Sequence, residues 1–410
     1  MIGFTKLLCG TATISQALKN EGKKAPHLLQ FSPHNQPVVV WNLTNRCNLK
    51  CRHCYLSAPV CRDSGTGRED RDYSRELTTA EAKAFIDDLV KVEVPILIFS
   101  GGEPLARKDI FQLGEYAAGK GLRVVISSNG TLITEQVAGK LKESGFLYVG
   151  VSLDGLQEIH DKFRGIEGSF EGALRGIRNS LQAGIKTGIR FTASRLNYRD
   201  LPDVLDLVVR EGVTRFCLYH LVYSGRGKDL VESDLSNEER REMISFLTEK
   251  TLDYCRRGVD LEILTVDNNV DGIFIYRYLK ENMPERAEEV RELLRMQGGC
   301  SAGKRICSIS PEGDIYLCQF WRHKSLGNVR EQALSKIWKE ASSPLLRDVR
   351  NKLEHIRGRC GECRYKELCN GCRVRAEVVN NDVWGADPAC YLTQEEITDD
   401  RKQKREERKI

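Results

Sequence analysis

The chain has 410 residues, 40% of them hydrophobic and 30% charged, with a net charge of +5. This is length for two or three domains and the composition of a folded globular protein, which excludes a disordered or fibrous chain. The charge excess is too small to argue for nucleic acid but suits an acidic small substrate. Fifteen cysteines are the outlier. No long apolar segment follows Met1, and the longest apolar runs are Val38–Trp41 and Pro95–Phe99. Neither a signal peptide nor a membrane span is therefore expected. The expected location is cytoplasmic, where thiols stay reduced and cysteine clusters read as metal sites.

Residues 1–35 read as a polar lead-in with a short helix over Thr13–Lys19. Pro33 and Pro37 precede Val38-Val-Val-Trp-Asn-Leu, a run of buried-strand type. Directly after it, Asn45–Tyr55 holds Cys47, Cys51 and Cys54 in a C-x3-C-x2-C spacing. Three thiolates so close suit an iron–sulfur cluster that keeps one iron open. The competing zinc site would normally use two paired Cys/His motifs, and His53 is not at that spacing. Residues 57–76 read as a polar surface loop containing Cys61.

A regular alternation follows. Thr78-Thr-Ala-Glu81 has the form of a capping box opening a helix to Lys91. Strands are expected at Val94–Phe99, Val124–Ser127, Leu147–Leu153, Lys186–Thr192 and Arg215–Leu221. Between them, helices are expected at Asp109–Gly119, Thr134–Ser144, Ser169–Ala183 and Asp200–Glu211. Near-continuous apolar strands alternating with helices indicate a parallel sheet. Six units fall short of a closed eight-fold barrel, so an open, partial barrel is predicted. Beyond Leu221 come a glycine-containing loop at Val222–Gly227, a helix capped at Ser236 and running to Arg256, a strand at Leu261–Val266 and a charged helix at Pro284–Met296. The last stretch, Thr393–Ile410, reads as a solvated helix or a frayed tail.

Binding groups in α/β barrels collect at the C-terminal strand ends. There stand Gly101, Gly102, Glu103 and Pro104 after strand two, Asn129 in Ser127-Ser-Asn-Gly-Thr131 after strand three, and Ser152 and Asp154 in Ser152-Leu-Asp-Gly155 after strand four. Ordinary turn chemistry competes for each. Arg164 has the bidentate geometry that suits a carboxylate, and a surface arginine is the alternative. His220 is more readily a hydrogen-bonded structural histidine than a metal ligand. A second cysteine group holds Cys300, Cys307, Cys318, Cys360, Cys363, Cys369, Cys372 and Cys390. Two four-thiolate clusters or zinc sites fit that number, and spacing alone does not separate iron from zinc.

The triplet with Tyr55 and the complete Gly-Gly-Glu-Pro run resemble the radical S-adenosylmethionine (SAM) superfamily. The C-x6-C-x10-C and C-x2-C-x5-C-x2-C spacings, with Gly313 five residues before Cys318, resemble its SPASM domain. One departure is x2 between Cys369 and Cys372, where many SPASM domains have x3. The resemblance implies an α/β fold, a partial (β/α)6 radical SAM barrel with a C-terminal cysteine-rich SPASM domain. It divides the chain into an N-terminal extension (1–35), the barrel (36–225), a helical linker region (226–297), the SPASM domain (298–392) and a charged tail (393–410).

By the same carry-over, Cys47, Cys51 and Cys54 hold the catalytic 4Fe–4S cluster, whose open iron binds SAM. Gly101, Gly102, Glu103, Pro104, Asn129, Ser152, Asp154 and Arg164 contact SAM. Cys300, Cys307, Cys318 and Cys372 hold one auxiliary 4Fe–4S cluster, and Cys360, Cys363, Cys369 and Cys390 the other. Met1-Ile-Gly-Phe-Thr-Lys-Leu-Leu-Cys-Gly-Thr, His27-Leu-Leu-Gln-Phe-Ser, Leu218-Tyr-His-Leu-Val-Tyr-Ser-Gly-Arg-Gly227 and Cys369-Asn-Gly-Cys-Arg-Val-Arg-Ala376 resemble the haem-biosynthesis branch of the AhbC and NirJ type. That likeness implies an iron tetrapyrrole substrate and removal of acetates from didecarboxysirohaem, or of propionates on the NirJ route. It also implies an electron donor such as flavodoxin or ferredoxin, and neither nucleic acid nor membrane as a partner. Arg226, Arg322, Arg373 and Arg375 are candidates to hold substrate carboxylates. The rivals are a SPASM peptide maturase, for whose usual N-terminal winged helix residues 1–35 are too short, and an iron–sulfur electron carrier.

Overall fold

Strand Val38–Asn42 (β1) is the point from which the sheet extends in both directions. On one side lie Leu97–Ser100 (β2), Val124–Ser128 (β3), Phe146–Ser152 (β4), Lys186–Ala193 (β5) and Arg215–His220 (β6), each pairing in parallel with the one before. Representative registers are Val39 with Leu97, Ser152 with Arg190 and Thr192 with Tyr219. Strand order that follows sequence order, with a helix in each crossover, is an arc of barrel rather than a doubly wound sheet. The expected partial (β/α)6 barrel is the architecture found. On the other side of β1 lies Ile306–Ile309 (β7), again parallel, with Val38 opposite Ile306. Antiparallel Asp314–Tyr316 (β8) and Ser325–Asn328 (β9) follow. The turn into β8 uses Gly313 at φ +92°, a left-handed backbone that glycine tolerates.

The computed structural model describes residues 1–10, 36–58, 73–341 and 343–398. The expected Thr13–Lys19 helix, Cys61, the His27-Leu-Leu-Gln-Phe-Ser stretch and the tail from residue 399 lie outside them. The chain divides into two interleaved compact units: Asn35–Asp234 with Ala302–Arg350, and Met1–His34 with Leu235–Ser301 and Asn351–Ile410.

In the first unit Trp41 is fully buried, edge-on to Phe85 at 5.2 Å and to Phe99 at 5.7 Å. Phe85 comes from the helix Thr79–Lys91, whose capping box between Thr78 and Glu81 forms as expected. Strand β2 starts later than the predicted Val94, because the Val94 N–H closes that helix on the Leu89 carbonyl and Pro95 has no N–H. The short helix Gln157–Arg164 was not foreseen; it ends on Gly165 at φ +75°.

The second unit corrects the reading of the N-terminus as a polar lead-in. Ile2–Gly3 pairs antiparallel with Glu262–Val266, and Phe4, Leu7 and Leu8 of the helix Phe4–Cys9 are buried. Cys9, which lies outside both cysteine groups, is disulfide-bonded to Cys255; the helices Phe4–Cys9 and Asn237–Arg256 bring the two Cα atoms within 6.5 Å. The helix Val270–Asn282 escaped the sequence because its Gly272 and unbroken Ile-Phe-Ile-Tyr run hide the helical period. Gly272 packs against Leu294, where a Cβ would meet a methyl at 2.7 Å. Thr393 caps the short turn Gln394–Ile397, whose Glu396 receives a bidentate pair from Arg241.

Candidate functional site

The loop after β1 has almost no regular structure, and it is held from three sides. Against it lies Gly101–Pro104: the Gly102 N–H donates to the Thr44 carbonyl and the Glu103 N–H to the Arg46 carbonyl at 2.7 Å. A Cβ on Gly101 would lie 2.6 Å from the Thr44 oxygen, and one on Gly102 2.2 Å from the Arg46 oxygen. The two glycines therefore admit the cysteine loop itself. From the second side, the Lys50 and Arg52 N–H groups donate to the carbonyls of Arg164 and Phe163, and Gly165 packs on Lys50. From the third, Arg226 donates to the Cys51 and Ala58 carbonyls at 2.9 Å each, beside Gly225. Cys47, Leu49, Cys51 and Ala58 bury together, with Cys54, Leu56 and Ile166 packed against them. Water is thus largely excluded around the thiols.

Burial is also the main electrostatic fact here. It pushes the Cys47 thiol up to about 12, opposed by the Leu49 N–H and reinforced by Glu103, Cys51 and Cys54. Burial raises Cys51 as well, while Arg164 pulls it down through Nη1 at 3.6 Å from the sulfur. The three thiols are close enough to feel one another's charge, so a bound cationic cluster would relieve both burial and repulsion.

Glu103 is fully buried, and burial raises its carboxyl to about 7 against hydrogen bonds from the Asn129 N–H, the Leu105 N–H and the Ser128 hydroxyl. Pro104 opens a short 3-10 turn behind it. The Asn129 side chain binds Asn48 of the cysteine loop and accepts from Thr131. Asp154 faces inward: it accepts the Thr192 N–H at 2.7 Å and is ion-paired to Arg164. Burial raises its carboxyl and Arg164 opposes that. His160 accepts the Asp154 N–H on Nδ1, and burial holds it down to about 3. His53 stacks on Phe163 at 4.4 Å, and its Nδ1 is buried without a hydrogen-bond partner. His220 is buried at the end of β6.

Ser152 sits half-buried on the face of β4–β6 turned away from the sealed side. Along β5 that face carries Gly188, Arg190 and Thr192, while Ile189, Phe191 and Ala193 are buried on the other. Arg190, missed at the sequence level, donates to the Ser127 hydroxyl and lies 6.0 Å from the Tyr219 ring. The strand's two-residue alternation was the signal that could have found it. Tyr55 donates to Asn42 at 2.8 Å and packs edge-on against Phe320 at 5.5 Å. Three of the four arginines read as substrate-holding prove to be internal staples. Arg226 straps the cysteine loop. Arg373 donates to the Gly385 and Val383 carbonyls, and Arg375 forms a buried bidentate pair with Asp387.

In the second unit Cys360, Cys363, Cys369 and Cys390 line one cavity, the grouping expected for an auxiliary site. Asp387 organises its rim, accepting the Cys372 N–H at 2.7 Å while its own N–H points at the Cys360 sulfur at 3.3 Å. Burial raises Cys363 to about 11, helped by the charges of Cys390 and Cys360. Burial raises Cys372 to about 11, with the charge of Cys300 adding to it, and Asn370 holds the Cys300 N–H. Cys307 is fully buried in β7 and Cys318 follows β8, both in the first unit. No described helix is long and apolar enough to cross a membrane.

Residues 41–208 match the family model of the radical SAM superfamily, and residues 300–373 that of SPASM, an iron–sulfur cluster-binding domain. The chain is 50% identical over 404 residues to Fe-coproporphyrin III synthase of Methanosarcina barkeri, covering 97% of this chain and 99% of that one. It is 38% identical over 371 residues to pre-heme d1 synthase of Dinoroseobacter shibae, covering 90% and 89%. Streptococcus suis SuiB, solved bound to S-adenosylmethionine, shares the fold with a TM-score of 0.65 at 20% identity, over 92% of this chain and 82% of that one.

Proposed function

The chain belongs to the radical SAM superfamily and carries a SPASM iron–sulfur domain, and from that premise we propose that it removes two acetate side chains from an iron tetrapyrrole of the didecarboxysirohaem type, yielding Fe-coproporphyrin. The observation that carries this reading is the 50% identity with Fe-coproporphyrin III synthase, which runs through 97% of the chain. Cys47, Cys51 and Cys54 would hold the catalytic 4Fe–4S cluster, and with only three thiolates supplied the amino-acid end of SAM would complete the site. When bound, cluster and SAM supply a 5′-deoxyadenosyl radical able to take hydrogen from a side-chain methylene. The chain's own residues bind and orient. Glu103 would accept from an N–H of the SAM amino group, Asn129 and Ser152 would serve its ribose side, and Gly101, Gly102 and Pro104 would shape the wall. Arg164 and Asp154 steady the loop at Cys51. The cavity thiols Cys360, Cys363, Cys369 and Cys390 hold one auxiliary cluster, and the SPASM resemblance assigns Cys300, Cys307, Cys318 and Cys372 to the other. A flavodoxin- or ferredoxin-type donor supplies the electron.

Glu103 makes the contact with SAM, a sulfonium cation, testable by pH. Its carboxyl is raised to about 7 in the ligand-free protein, so it is largely neutral below that pH and charged above it. A cationic ligand favours the charged form, so SAM affinity should rise with pH through about 7 and level off above. Glu103→Gln should bind more weakly above pH 7 and lose that slope. Isothermal titration across pH 6 to 9 checks this, and a wild-type profile flat through 7 would remove the assignment.

Anaerobic incubation of the cluster-loaded protein with didecarboxysirohaem, SAM and a reductant, followed by mass spectrometry of the pigment, tests the reaction. Loss of two acetates is the expected result. The 38% identity with pre-heme d1 synthase supports a second reading, in which propionates leave. An unaltered pigment alongside steady 5′-deoxyadenosine formation would sink both.

A further inference from the structure

Two buried arginines follow Cys372: Arg373 is 1% exposed and Arg375 0%. They are handled differently. Arg375 spends its charge on Asp387, with both carboxylate oxygens at 2.9 Å. Arg373 forms no ion pair among the described residues. Its Nη1 donates to the Gly385 carbonyl at 2.7 Å and to the Val383 carbonyl at 3.2 Å, and its Nε is buried with no hydrogen-bond partner. Those carbonyls fix the guanidinium without neutralising it. A buried, unpaired cation is costly, so a fold that keeps one normally sets an anion against it.

The group it faces is a sulfur. Arg373 Nη2 lies 3.9 Å from the Cys360 Sγ, and the Asp387 N–H lies 3.3 Å from the same atom. Two donors on one sulfur suit a thiolate, the form in which cysteine binds metal. Gly371 clears the space where they meet. It stands at φ +59°, and a Cβ there would lie 2.5 Å from Arg373 Nη2 and 3.2 Å from the Cys360 Sγ. Among the described residues, no other side chain donates to a sulfur of this cavity. Arg359 lines the same cavity but turns its fork to the Leu392 carbonyl and the Gln394 side chain. In the first unit Arg164 reaches the Cys51 sulfur as half of an ion pair with Asp154. Arg373 reaches Cys360 with its charge uncompensated.

Resting on the auxiliary-cluster reading above, we propose that Arg373 is a positioning residue for the cluster at Cys360, Cys363, Cys369 and Cys390: its guanidinium holds the Cys360 thiolate and makes that cluster easier to reduce. Reduction adds one electron to a group already ringed by four thiolates, and it forms and breaks no bond. A cation fixed against a ligand sulfur therefore stabilises the reduced form more than the oxidised one.

The test is an EPR-monitored redox titration of the cluster-loaded full chain, in which the transition altered by Cys360→Ala identifies the cavity cluster. In Arg373→Gln that transition should move to lower potential by about 59 mV or more, a tenfold change in a one-electron equilibrium, and the other transitions should stay in place. Arg373→Lys, which keeps the charge, should recover at least half of the shift. Arg359→Gln, which removes a charge that touches no sulfur, should shift the transition less. Iron and sulfide analysis reports whether the cluster is intact. If Arg373→Gln loads incompletely, wild type grown on nitrogen-isotope-labelled arginine decides: pulsed EPR of the reduced cavity cluster should show weak coupling to the label, and no coupling would overturn the proposal. An unmoved transition at full iron content would overturn it and leave the cluster reading standing. So would equal shifts in Arg373→Gln and Arg373→Lys, or in Arg373→Gln and Arg359→Gln. Cavity cysteines that hold zinc, with every transition unchanged in Cys360→Ala, would overturn proposal and cluster reading together.

Discussion

Gly102→Ala is expected to abolish 5′-deoxyadenosine formation and to remove one cluster's iron, about four atoms per chain, while leaving the protein folded. The added methyl carbon would sit 2.2 Å from the Arg46 carbonyl oxygen, inside any real contact, and that neighbour is backbone rather than a flexible side-chain tip. Either Glu103 or the loop carrying Cys47, Cys51 and Cys54 must retreat by roughly 1 Å, whereas metal sites tolerate displacements of about 0.2 Å. The change needs no alteration of a ligand and no loss of core. Iron and sulfide analysis with a thermal melt checks it. A variant with full iron and normal SAM cleavage would show that the loop has slack the contacts do not suggest.

Arg164→Gln is expected to cost about 3–5 kcal/mol, since it strands the buried Asp154 carboxylate. For a unit of this size that is a fall in Tm of about 10 °C. The sign with pH follows from the carboxylate. Burial already raises the Asp154 carboxyl in the folded state, and Arg164 is the main force opposing it. Without Arg164 the folded form holds its proton to higher pH than the unfolded form. The deficit is therefore smallest in acid, where Asp154 is neutral in both states, and grows as pH rises. Adding Asp154→Asn should restore most of the lost stability. It should not restore cluster loading, because the Arg164 fork on the Cys51 sulfur is still missing. Melts from pH 5 to 8 on single and double variants decide this; a deficit independent of pH would assign the loss to packing.

The barrel was legible because its strands are apolar runs of the right length and its helices announce their starts. Thr78, Thr134 and Ser236 all cap the helices expected of them. The cysteine spacings were legible as chemistry. What the linear pattern could not carry was long-range partnership. Nothing local to Arg226 says that its guanidinium will strap residues 51 and 58, or that Arg375 will neutralise Asp387 rather than meet a substrate. Phe4, Leu7 and Leu8 lie more than 200 residues from Leu261 in the sequence, so their shared core is invisible to any window. Arg190 was passed over because a charge within a strand reads as an interruption of the apolar run, although it falls on the strand's less buried face.

The parallel pairing of Val38–Asn42 with Ile306–Ile309 also sets a schedule for synthesis. Val38 and its partner Ile306 are 268 positions apart. At ordinary translation speeds, β1 leaves the ribosome roughly 13 to 54 s before β7 exists. The helices and strands 79–220 can assemble against one side of β1 in that time, since their contacts are near in sequence. Its other edge, Val-Val-Val-Trp, stays an open row of hydrogen-bonding groups on an apolar strand, a template for pairing with any neighbouring chain. A chain truncated before residue 306 should therefore aggregate rather than yield a separable barrel, and production of the intact protein should improve when translation is slow enough, or chaperones plentiful enough, to shield that waiting strand.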